Sequence, residues 1–301
     1  MSSLSDSTKK AYERRIAVLE GYITGDKYRQ GQEDYEFSAL NWVDNLAFIK
    51  FGGKWGNCET KKGIVSALLN KVENKESEAY KQYHSYFNEL KKVCIDRAKQ
   101  QQLPDNRKTK YLTKDELLEC YSLCHSKFLA DKQDYYDHLL LALYIIQAPV
   151  RADYCGMEIV DTSLSEYDQK KNYCQLSAVA DSFFIFNTYK TSKTYGKVII
   201  KIEEPLVELL KTHFYERKEK YVLPDFWSKA YLSERVRMIT KKYTGKECSI
   251  GLIRHAWVFD LYKSNPTIAD KEKLARKMLH SVAVQELYRT SEDLTILNLE
   301  E

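Results

Sequence analysis

Apolar positions over the first hundred residues recur every three or four places, the period of an amphipathic helix. Tyr12, Ile16, Leu19 and Ile23 form one stripe, with Ser7 as its N-cap and Gly25 as its stop. Residues 38–51 make a second helix, closed by Gly52-Gly53. A third opens at Thr60 and carries Ile64, Ala67, Leu68 and Val72. The fourth is the most regular: Tyr80, Tyr83, Phe87, Leu90 and Cys94 line one side, and lysines and glutamates fill the rest. Four such helices predict a small all-α bundle over residues 1–103. The period then fails in QQQLPDNRKTKY, so residues 104–111 read as a linker. Thr113 and Glu116 have the spacing of a capping box and start a second domain, residues 112–301.

In that second domain residues 135–147 are apolar nearly all round, which marks a central buried helix. Pro149 ends it and Arg151 follows at once. Residues 172–178, 183–190 and 197–202 have the β-branched and aromatic content of strands. Val198, Ile200 and Ile202 alternate, and residues 191–196 (TSKTYG) turn between the last two strands as a hairpin loop. Pro205 opens another helix, and Ser233 is placed to cap one with Val236 and Ile239. The expected fold is mainly α with a small antiparallel β-sheet, behind a four-helix N-terminal domain.

The 301 residues are 44% hydrophobic and 30% charged, an ordinary globular composition. No apolar run approaches the ~20 residues of a membrane span. The start, MSSLSDSTKK, lacks the apolar segment of a secretory signal, so an intracellular protein is expected. Seven cysteines without framework spacing predict reduced thiols. Cys120, Cys124 and His125 invite a zinc reading, but no second ligand pair accompanies them, and small residues on a helix face suffice. Charge is uneven: residues 1–110 hold 20 Lys+Arg against 15 Asp+Glu, and the remainder holds 27 against 28. A basic first domain suits a clamp on a phosphate backbone, and equally an ordinary solvated surface.

The chemistry gathers near the C-terminus. Arg254 and His255 stand inside the apolar run Leu252, Ile253, Ala256, Trp257, Val258 and Phe259. A guanidinium in such a helix needs a counter-ion or an anion. His280 and Tyr288 come next. Arginine, histidine and tyrosine together suggest an anion held beside a nucleophile, with phosphate the natural candidate. Singly, each has a plain structural reading: a core ion pair, a satisfied core histidine, one of 23 tyrosines.

These residues resemble the C-terminal boxes of the tyrosine recombinases, the phage-integrase, lambda-integrase-like and Cre-like enzymes that cut and rejoin DNA. Ile253-Arg254-His255 is similar to the end of one box, Leu279-His280-Ser281 to the next, and Tyr288 to the nucleophile. The order helix, Arg151, strands with a basic hairpin, Arg254, His280, Tyr288 is also the family's. The resemblance implies a helical core-binding-like domain, a catalytic domain, and strand cleavage through a covalent 3′-phosphotyrosine. Arg151 and Arg254 would clamp the phosphate, His280 would donate to it, and Lys193 or Lys190 on the hairpin would protonate the leaving 5′-oxygen. It further implies double-stranded DNA carrying a specific site as partner, no cofactor and no metal. A homotetramer on DNA would trade C-terminal segments such as residues 291–301, with Leu294, Ile296, Leu297 and Leu299.

Departures are visible. Gly251 stands where the box has its first histidine, and His280 to Tyr288 is one step short of the usual spacing. His255 is a possible partial substitute, and Asp153 beside Tyr154 stands in for the family's acidic residue. Ala148-Pro149-Val150-Arg151 replaces a bacterial Gly-Leu-Arg box, pointing to a divergent branch of the kind carried by large DNA viruses or eukaryotic mobile elements. Two other readings stay open: a type IB topoisomerase-like relaxase, and a DNA-binding factor on a decayed scaffold.

Overall fold

The structure, a computed structural model, describes residues 6–24, 42–51, 58–99, 105–131, 134–161 and 168–288. The chain divides into two compact units, Met1–Gln100 and Gln101–Glu301.

The first unit contains α1 (Asp6–Thr24), α2 (Trp42–Phe51), α3 (Cys58–Lys71) and α4 (Glu78–Lys99). α1, α3 and α4 bury residues of the stripes that their sequence spacing marks. Ile16 and Leu19 of α1, Leu46 and Ile49 of α2, Ile64, Ala67 and Leu68 of α3, and Tyr83, Leu90 and Cys94 of α4 meet in one core. Gly25, Gly52-Gly53 and the start of the second helix before Trp42 lie outside the described residues.

The second unit opens with α5 (Asp105–Lys108), a helical turn within the segment expected as linker. α6 (Lys114–Asp131) starts on the anticipated capping box: the Thr113 amide donates to Glu116 Oε2 at 2.8 Å, and the Glu116 amide to Thr113 Oγ1 at 3.2 Å. α7 (Tyr135–Ile145) is the central helix, buried from Leu139 to Ile145. Four strands follow: β1 (Glu158–Asp161), β2 (Tyr173–Leu176), β3 (Phe183–Phe186) and β4 (Val198–Lys201), with the short α8 (Ser192–Tyr195) before β4. The sheet order is β1-β2-β3-β4, with β1–β2 parallel and the other pairs antiparallel. The expected antiparallel sheet is therefore corrected to a mixed one, because β1 joins its edge in the parallel sense.

Val198 and Ile200 of β4 face the core and Ile199 and Lys201 face out, as their alternation requires. α9 (Glu204–Lys211) runs into a π-helical turn, Thr212–Glu216, and α10 (Lys229–Thr244), α11 (Ile250–Lys263), α12 (Ile268–Lys277) and α13 (Val282–Glu286) follow. α10 is capped by Ser228, whose hydroxyl accepts from the Tyr231 amide. Ser233, expected in that role, lies inside the helix and bonds back to the Lys229 carbonyl. All seven cysteines are free thiols, and Cys120 and Cys124 are buried in the core of this unit. No helix among the described residues is long and apolar enough to cross a membrane.

Candidate active site

Three local features bring the late-chain residues together. Ser249 caps α11, and four residues into that helix Arg254 enters the core, 1% exposed. α12 ends in a Schellman turn: the Leu279 amide bonds to Arg276 O and the His280 amide to Ala275 O, both at 3.1 Å. Leu279 takes the left-handed position of that turn at φ 56°, an expensive conformation for a branched residue that fixes where His280 emerges. Ser281 then caps α13, which ends beside Tyr288, whose amide donates to Gln285 O.

Arg254 is the hub. Its Nε donates to Tyr288 Oη at 3.1 Å, and Nη1 donates to Pro149 O at 2.5 Å and Met278 O at 3.1 Å. Its Nη2 donates to His280 Nδ1 at 3.2 Å. None of these partners is a carboxylate. Burial lowers the Arg254 pKa, with Tyr288 opposing the shift and Arg151 adding to it.

A guanidinium can only donate, so His280 Nδ1 accepts and the ring proton sits on Nε2. Burial, with Arg254 and Arg151 nearby, pushes the His280 pKa down to about 3, so the ring is neutral near pH 7. Its Nε2 is buried and lacks a partner among the described residues. A buried donor left unmet costs about 1–3 kcal/mol.

Tyr288 is held from its other end as well. His255 Nδ1 donates to the Tyr288 carbonyl at 2.6 Å, and the two rings meet edge-on with centroids 4.8 Å apart. Burial lowers the His255 pKa to about 4, so it too is a neutral donor.

Arg151 stands two residues beyond Pro149, whose carbonyl Arg254 Nη1 holds. Its carbonyl accepts from Tyr144 Oη at 2.7 Å, and Asn172 ties the neighbouring Asp153 carbonyl to the carbonyl of Thr188. The guanidinium itself makes no hydrogen bond or ion pair with a described residue, although its charge acts on His280 and Arg254. Asp153 is buried, and desolvation raises its carboxyl, opposed by Lys229 and Arg151. Tyr154, in the family's acidic position, is a core residue edge-on to Tyr144 and Phe184.

The structure thus gathers Arg254, His280, Tyr288 and His255 by direct contact, with Arg151 and Asp153 in electrostatic range. The hairpin is docked beside them by Thr191 Oγ1, which donates to Leu279 O at 3.3 Å. Lys190 and Lys193 are exposed and make no hydrogen bond or ion pair with a described residue. Lys193 lines an open depression with Asn187, Ser192 and Lys197. Lys197, which the sequence did not single out, also lines a cavity that reaches His280. Residues 291–301 lie outside the described residues.

No family profile matches the chain. No curated relative matches it either. Among solved structures it is similar to XerA recombinase, with 13% sequence identity and a TM-score of 0.43, covering 99% of this chain and 92% of that one.

Proposed function

We propose that this protein cuts and rejoins DNA strands as a site-specific tyrosine recombinase, with Tyr288 as nucleophile. One observation carries the reading: a single buried guanidinium without a carboxylate, Arg254, holds both the Tyr288 hydroxyl and His280 Nδ1. Two donors beside it, His280 Nε2–H and the Arg151 guanidinium, are left uncommitted among the described residues. A phosphodiester supplies the missing anion. Its non-bridging oxygens take hydrogen bonds from Arg151 and His280 and from the remaining N–H of Arg254, donors set in place before charge develops.

Tyr288 Oη attacks phosphorus in line, and the bond to the 5′-oxygen breaks. The phenol loses its proton to solvent, and the leaving oxygen gains one from Lys193 or Lys190. The 3′-phosphotyrosine conserves the ester, and attack by a second 5′-hydroxyl reverses the step on a new strand. His255 contributes by fixing the Tyr288 backbone, and Asp153 by balancing charge near Arg151. Arg254 has less to give the phosphate than a free bidentate clamp, because most of its donors hold protein atoms; Arg151 carries more of that work.

A duplex nicked near the cleavage point traps the intermediate. Wild type should leave a protein–DNA adduct on a denaturing gel in the presence of EDTA, and Tyr288→Phe should leave none. A second reading, a factor that binds DNA without cutting it, draws on the exposed, unengaged state of Lys190 and Lys193. It gains if wild type binds a DNA site tightly and forms no adduct there.

A further inference from the structure

A cavity of about 320 Å³ opens between the hairpin and the α12–α13 turn. Its walls include Tyr189, Tyr195, Lys197, Arg276 and His280, with one carboxylate, Glu272, among them. Tyr189 is 8% exposed, and its hydroxyl donates to the Gly196 carbonyl at 2.9 Å, closing the loop. Gly196 makes that closure possible: at φ 67°, ψ −155° it occupies a region essentially reserved for glycine. The closed loop leaves Tyr195 half exposed beside Tyr189. Lys197 and Arg276 are exposed cations with no ion-pair partner among the described residues. His280 is also a lining residue, and its Nε2 is buried and without a partner among the described residues.

An aromatic face, two free cations and one orphan N–H donor are the chemistry of a nucleotide site, where a base stacks and a phosphate is neutralised. We propose that this cavity seats a single unstacked deoxynucleotide. In the strand, its occupant is the nucleotide that joins the scissile phosphate. The base lies on Tyr195 beside Tyr189, and Lys197 and Arg276 face its outer phosphate. His280 stands at the junction, so the ester is presented to Tyr288 while its base is held out of the stack. This assignment rests on the strand-cleavage reading for its source, but the seat itself does not require cleavage.

Full-length protein is titrated with deoxyadenosine 5′-monophosphate, followed by saturation-transfer NMR. Saturable binding is expected, weakened about tenfold by Tyr195→Ala, as loss of one stacking contact implies. Arg276→Gln should weaken it about threefold, the share of one exposed charge. Deoxyadenosine alone and inorganic phosphate alone should each bind far more weakly than the nucleotide. A single-stranded deoxyadenylate pentamer should displace the mononucleotide, marking a nucleotide within a strand as the occupant. Failure of the pentamer to displace it overturns the strand assignment in favour of a free nucleotide. Binding unchanged in Tyr195→Ala and Arg276→Gln, or matched by phosphate alone, overturns the seat. The two readings separate cleanly: nucleotide binding without a Tyr288 adduct refutes the cleavage activity and keeps the seat, whereas an adduct without nucleotide binding refutes the seat alone.

Discussion

Two arginines in the second unit, Arg235 and Arg254, are placed by their helices against protein interior, and the fold treats them in opposite ways. Arg235 on α10 meets the buried carboxylate of Asp137 two-pronged, Nε to Oδ1 at 2.6 Å and Nη2 to Oδ2 at 2.8 Å. That bond, first among its influences, raises the Arg235 pKa. Burial raises Asp137 while Arg235 pulls it back down. Arg254 on α11 is more deeply buried, and its contacts are a phenol, two carbonyls and an imidazole. Burial, its leading influence, lowers the pKa. Arg235 finds its counter-ion within the fold, whereas none of the Arg254 partners is an anion, and under the proposed function a phosphodiester fills that place.

The largest expected effect comes from breaking the second arrangement. Arg254→Lys keeps the charge but cannot span Tyr288, two carbonyls and His280 with one ammonium. Adduct formation in single turnover should fall by about 10²–10³-fold, the range for removing a preorganised donor. A loss below tenfold would make Arg254 a packing residue like any other.

Breaking the first arrangement should do the reverse. Asp137→Asn strips Arg235 of its anion, and the cost to unfolding free energy should be about 2–3 kcal/mol. That is less than a fully buried pair would lose, because the Arg235 side chain is 30% exposed. Denaturant melts measure it, and the adduct rate per folded molecule should stay as in wild type. If the rate collapses with the stability, the two arginine sites are not independent.

The smallest effect sharpens the comparison by adding a donor. Gly251 is exposed near the start of α11, and a Cβ there would meet only Ser249 Oγ at 3.6 Å, an ordinary contact. The Cβ of Gly251→His should fit, and the substitution should raise the adduct rate by a few-fold (about 1 kcal/mol) if the imidazole reaches the phosphate. An unchanged rate would show that the site is complete without a residue there.

How much of this was legible beforehand follows from the range of the interactions. Helices are written in local periodicity, so the α4 stripe and the Thr113–Glu116 box can be read directly. So can the all-round burial of α7, and Arg254, His280 and Tyr288 are legible through their boxes. β1 was missed because its partner, β2, begins fifteen residues later, from Glu158 to Tyr173. A parallel pairing of that kind leaves no mark on neighbouring positions. The choice of Ser228 over Ser233 as cap turned on where the preceding chain bends. Least legible was the use made of Arg254: its residue type suggested a phosphate clamp, whereas its bonds make it chiefly the holder of the other groups. The cavity beside His280 was equally hidden, since Lys197 and Arg276 approach it from two distant parts of the sequence.

Under the proposed function one phenol, placed by Arg254 and His255, becomes bonded to DNA. Protein trapped on a nicked duplex can be digested with protease and the peptide bearing the 3′-nucleotide sequenced by mass spectrometry. The phosphorus should be carried by Tyr288 and by no other residue. A nucleotide found on a different tyrosine, serine or histidine, with Arg254 and Tyr288 intact, would contradict it.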